Sequence, residues 1–145
     1  RTSKQIRTSS GSGANMATIR KEISTRSMSG EEVWAIVRDI GALHTKLVPG
    51  FVVDTRLEPG ARVVTFFNGM VVREPIVTID DAAKRLVWTT QDGPASHYNA
   101  SAQVFADGNG ARVVWTADFL PDDAATIIEP LMTAGMAAMK TALDR

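Results

Sequence analysis

The sequence predicts an α+β fold: a seven-stranded antiparallel sheet curved around a long C-terminal helix, with two short helices after the first strand. Residues 93–121 carry most of this. They read as two long strands joined by the turn Asp107-Gly108-Asn109-Gly110, whose residues tolerate positive φ. Strand side chains alternate, so Tyr98, Ala100, Ala102 and Val104 share one face, as do Val113, Trp115, Ala117 and Phe119. After Pro121, Asp122 and Asp123 open a stretch with helical periodicity, where negative charge suits the helix dipole. A large hairpin feeding a terminal helix predicts a sheet wrapped around that helix, with room between them for something apolar.

Residues 1–15 are Ser/Thr/Gly-rich, carry Arg and Lys but no acid, and lack periodicity, and Met16 reads as a natural start. They are expected to be a vector remnant or a flexible leader ahead of one domain at 16–145. Residues 17–26 form a first strand with Ile19 and Ile23 on one face. Ser29 and Glu32 make a capping box for a helix that carries Val33, Trp34, Ile36 and Val37 inward. A short helix over 42–47 ends at Pro49-Gly50. Strands follow at about 51–57, 61–67, 70–79 and 84–91, separated by Glu58-Pro59-Gly60, Asn68-Gly69 and 80–84. In the last helix Pro130 withdraws one backbone donor, while Ile128, Met132, Gly135, Met136 and Met139 form a stripe. Long antiparallel runs with helices at the ends argue against βαβ repeats.

The chain of 145 residues is long enough to bury a core without disulfides or metal. Its 16 basic and 16 acidic residues leave no electrostatic footprint for nucleic acid. Without cysteine it has no thiolate nucleophile and no Cys-based zinc site; His44 and His97 lack partners at ligand spacing, so no metal and no cofactor are expected. No apolar run is long enough for membrane insertion, and a cytoplasmic location is the default. No Ser-His-acid set, phosphate loop or dinucleotide fingerprint is found.

In order and spacing the chain resembles the SRPBCC, or START-like, helix-grip superfamily, which includes bacterial polyketide cyclase/dehydrase-like and lipid-transport proteins. The resemblance covers 16–145 and rests on several short runs. These are Glu32-Val33-Trp34 with Val37 and Asp39, Gly41-Ala42-Leu43-His44, and Leu57-Glu58-Pro59-Gly60-Ala61-Arg62. They continue with Val72-Arg73-Glu74-Pro75-Ile76, Ile79-Asp80-Asp81, Trp88, Tyr98, Val113-Val114-Trp115, Phe119 and Gly135-Met136. It implies a largely apolar tunnel between the sheet and the last helix. Two departures stand out. His44-Thr45-Lys46-Leu47-Val48-Pro49 lacks the aromatic that related bacterial proteins carry before the proline, and Pro75 replaces the usual Leu.

Trp34, Trp88, Tyr98, Trp115 and Phe119 then read as core and cavity wall together, and Met132, Gly135, Met136 and Met139 as the facing helix. Gly135 either leaves room for a ligand or lets helix and sheet approach closely. Arg62 and Glu74 on adjacent strands form either a buried pair that holds a ligand's polar end or a salt bridge on the convex face. Parity against Ile79 puts Arg73 inside, unless a bulge near Pro75 shifts the register. His44 reads as a lid residue or a capping histidine. The leading expectation is binding of a small apolar or aromatic, lipid- or polyketide-like ligand in the cavity. The alternative is a cyclase or dehydratase using Glu74, His44 or Tyr98 for proton transfer. A homodimer is compatible with either, and a scaffold that regulates a partner is a third reading.

Overall fold

The computed structural model describes residues 15–145 in full and residues 4–8 by their backbone. The elements are β1 (Lys4–Thr8), β2 (Ala17–Thr25), α1 (Gly30–Val37), a 3-10 turn (Ile40–Ala42) and a π turn (Leu43–Leu47). They continue with β3 (Val52–Glu58), β4 (Ala61–Phe66), β5 (Val71–Asp80), β6 (Arg85–Thr89), β7 (His97–Asp107) and β8 (Gly110–Leu120). A 3-10 turn (Asp122–Ala124) then leads into α2 (Ala125–Leu143). The sheet order is β1-β2-β8-β7-β6-β5-β4-β3, every pair antiparallel. Strands β2 to β8 are the seven expected, and β1 adds an eighth along the edge of β2, with Lys4 opposite Lys21. The leader expected at 1–15 lies partly outside the described residues.

Local sequence accounts for most of this. The β7–β8 hairpin pairs Tyr98 with Phe119, Ala100 with Ala117, Ala102 with Trp115 and Val104 with Val113, all on the face toward α2. Gly108 takes φ +60° in its turn, where a side chain would be strained. On α1 the Ser29 side chain accepts from the Glu32 backbone N–H at 3.2 Å, and the Glu32 carboxylate accepts from the Ser29 N–H at 3.0 Å. The expected stripe on α2 is buried: Ile128, Met132, Gly135, Met136 and Met139 face the sheet. Asp122 and Asp123 lie in the 3-10 turn before α2 rather than in its first turn, and α2 itself has no side-chain N-cap.

Two departures follow from long-range packing. Lys21 belongs to the buried face of β2, with Ala17, Ile19, Ile23 and Thr25. Its ammonium meets the Glu129 carboxylate of α2 at 2.9 Å, so the charge enters the interior already paired. On β5, Ile76 lies opposite Trp88 but Thr78 opposite Val87, so Val77 is an extra residue. This bulge moves parity by one. Ile79 and Glu74 then share a face, and Arg73, placed inside by unbroken alternation from Ile79, turns outward.

Candidate functional site

A cavity of about 110 Å³ lies between the concave face of the sheet and α2. Its walls are overwhelmingly apolar. Trp88 and Trp115 contribute from β6 and β8, Met132 and Met139 from α2, and Leu47 and Phe51 from the segment between α1 and β3. On β7 the small side chain of Ala102, opposite Trp115 on β8, forms part of the wall. The Trp88 and Trp115 rings lie 6.5 Å apart at 41°.

Glu74, Arg62, Tyr98 and Trp115 give the cavity a polar group. Arg62 and Glu74 are directly opposite on β4 and β5, and Arg62 Nε donates to Glu74 Oε1 at 2.9 Å. Arg62 Nη1 donates to the Ile40 carbonyl at 3.4 Å, and the guanidinium stands over the Trp88 ring at 5.3 Å. Burial pushes the Glu74 carboxyl above its usual range, against the pull of Arg62. Burial, and then the charge on Glu74, hold the Tyr98 hydroxyl well above the ordinary tyrosine range, so it stays a neutral donor. The nearby Trp115 indole pulls the other way as a donor toward the Tyr98 oxygen, although its buried Nε1 makes no well-aligned hydrogen bond.

Of the residues singled out from sequence, Arg62, Glu74, Trp88, Tyr98, Trp115, Met132 and Met139 line this cavity. Trp34, His44, Phe119, Gly135 and Met136 are not among the residues that line it. Trp34 is spent elsewhere: its Nε1 donates to Asp81 Oδ1 at 2.9 Å and ties α1 to the β5–β6 turn. Phe119 is fully buried behind Tyr98, with ring centroids 6.5 Å apart. A Cβ built on Gly135 would come within 2.9 Å of Trp115 and 3.0 Å of Phe51, so this glycine permits close contact rather than leaving room for a ligand. Met136 is buried beside it in the core. His44 sits in the π turn between two wall residues, Leu43 and Leu47, with its buried Nδ1 unpartnered.

Sequence reasoning missed much of the wall. Leu43, Leu47 and Phe51 come from the segment before β3, Met70 from the β4–β5 turn, Pro94 from the β6–β7 loop and Leu131 from α2. The four-residue spacing of Leu43 and Leu47 was a usable signal; the loop residues offered none. Among the described residues, no cluster of three or more His, Asp or Glu side chains is placed to hold a metal ion. Nor is any helix there long and apolar enough to cross a membrane.

The fold is shared with several solved structures. An uncharacterised protein from Bacillus thuringiensis aligns with a TM-score of 0.78 at 18% identity, over 87% of this chain and 98% of that one. CalU16 from Micromonospora echinospora aligns with a TM-score of 0.73 at 10% identity, over 99% and 86% of the two chains. Norcoclaurine synthase from Thalictrum flavum, in complex with dopamine and hydroxybenzaldehyde, aligns with a TM-score of 0.68 at 20% identity, over 88% and 84%. These likenesses establish the helix-grip architecture. No curated protein matches the chain by sequence. The model of one family, described as polyketide cyclase / dehydrase and lipid transport, does match, over residues 16–144, and the chain therefore belongs to that family.

Proposed function

We propose that this protein binds a small apolar or aromatic molecule in the cavity between the sheet and α2. The observation that carries the reading is the cavity itself, walled by Trp, Met, Leu and Phe and bearing one compact polar group. Its volume of about 110 Å³ suits a single ring better than a long acyl chain. An apolar protein cavity of about 150 Å³ is enough to take up benzene. Within the lipid- or polyketide-like range expected from sequence, size therefore favours the aromatic end. The relative solved with dopamine and hydroxybenzaldehyde supports small aromatic ligands in this fold. Titration with ethylbenzene, followed through the methyl resonances of Met132 and Met139, tests the reading. Both should shift while exposed Met16 stays still, and the melting temperature should rise with occupancy. Unmoved Met132 and Met139 signals at saturating ethylbenzene would overturn it.

A cyclase- or dehydratase-type enzyme is the second reading, favoured by one observation. Burial holds the Glu74 carboxyl above its usual range, toward the protonation state a general acid needs near neutral pH. Arg62 at 2.9 Å opposes this, and a carboxyl so paired orients a ligand or Tyr98 more readily than it gives up a proton. Glu74→Gln separates the readings. Retained affinity for an aromatic ketone with loss of product formation would make the protein an enzyme; no product from the wild type leaves binding.

A further inference from the structure

We propose that the ligand is a phenol, and that its hydroxyl donates to the second carboxylate oxygen of Glu74, Oε2. The inference rests on the binding reading above and names the polar group of that ligand.

The acceptor capacity of the cavity wall leads to it. A carboxylate offers about four lone-pair sites. Among the described residues, Arg62 is the one side chain that hydrogen-bonds to Glu74, from Nε to Oε1 at 2.9 Å. Tyr98 feels Glu74 through its charge, not through a hydrogen bond. Oε2 is not sealed off as Trp115 Nε1 is, and what it meets is the cavity that Glu74 lines. Even a Tyr98 O–H turned toward this oxygen would leave lone pairs free, so the protein's own donors do not exhaust it.

The charge pattern narrows the donor to a neutral one. Arg62 is the more enclosed member of the pair, with Nη1 on the Ile40 carbonyl and its guanidinium over the Trp88 ring. It would hold off a cationic ligand, and Glu74 would hold off an anion. Either ion would also lose its hydration against the apolar walls. A ketone or an ether brings no proton to a carboxylate. A purely apolar ligand would deepen the desolvation that already strains Glu74, whereas an O–H donated to Oε2 offsets it. Such charge-assisted bonds are about twice as strong as neutral ones. A hydroxyl on a single ring meets these conditions and fits the space.

4-Ethylphenol and 4-methylanisole provide the test, because they are isomers with the same ring and only the first carries an O–H. Affinities are compared after dividing out each compound's water-to-alkane partition coefficient. The wild type should favour 4-ethylphenol by at least about tenfold, the scale of one hydrogen bond to a charged group. Arg62→Met with Glu74→Leu removes both charges together and should bring the preference within about twofold. Tyr98→Phe removes the neighbouring hydroxyl, leaves the carboxylate, and should keep most of the preference. Equal corrected affinities in the wild type would overturn the inference and leave the binding reading intact. Binding of ethylbenzene without 4-ethylphenol would do the same. A preference that survives the double change, or one that Tyr98→Phe abolishes, would also overturn it. Failure of all three compounds to bind would remove the binding reading and this inference together.

Discussion

Two Arg–Glu pairs meet back to back on β5, through neighbouring residues. Glu74 reaches Arg62 at 2.9 Å on the inner face, and Arg73 reaches Glu58 at 2.8 Å on the outer face. The chemistry and the distances are nearly the same. The inner side chains are 3% and 8% exposed, the outer ones 38% and 33%. On the outer face the hydrogen bond from Arg73 dominates and holds the Glu58 carboxyl below its usual range. On the inner face desolvation dominates and pushes Glu74 up, although its arginine is just as close. The same pair is thus an ordinary surface contact on one side of a strand and a functional candidate on the other. The solvent decides, not the residues.

The largest test of this contrast removes one partner from the inner pair. Arg62→Met should destabilise the protein by about 3–5 kcal/mol in urea unfolding, because it strands Glu74 in a dry wall. The double change Arg62→Met with Glu74→Leu should recover most of that loss. If the single and double variants prove equally unstable, the loss comes from packing rather than from a stranded charge.

A second test probes the interior where no charge is involved. Gly135→Leu must displace the Trp115 and Phe51 rings, so it should lower stability by about 1–3 kcal/mol. The sequence alone left open whether this glycine makes space for a ligand. The close contacts predict instead that stability falls more than ligand capacity, which melting curves with and without ethylbenzene would show.

The smallest effect is a difference in sign. Glu74 binds its proton more tightly in the folded chain than in the unfolded one, so the wild type loses stability as pH rises from 4.5 through the raised folded value. Glu74→Gln should abolish that loss, so its stability relative to wild type should rise with pH across this window. Glu58 is depressed, so its contribution is present above 4.5 and fades as pH falls through the lowered folded value. Glu58→Gln should therefore show the opposite trend, much weaker because its partners are solvated. Urea midpoints measured from about pH 3 to about pH 8 would compare the two slopes; slopes of the same sign would remove the distinction drawn between the two faces.

What sequence alone determined was whatever a short-range period can carry. Alternation placed Tyr98, Trp115 and Phe119 on the inner face, Ser29 and Glu32 marked the start of α1, and three- and four-residue spacing turned Met132 and Met139 toward the sheet. Tertiary structure decided the rest. Glu74 rather than Arg73 faces the cavity because Val77 bulges from β5, and Lys21 lies inside because Glu129 of α2 is there to meet it. Trp34 left the candidate wall because Asp81, distant in sequence, offered its indole an acceptor. The wall itself draws on Phe51, Met70 and Pro94 from segments with no regular period. Parity is a property of neighbouring residues, whereas a bulge, a buried charge and an unfilled volume depend on which distant surfaces meet.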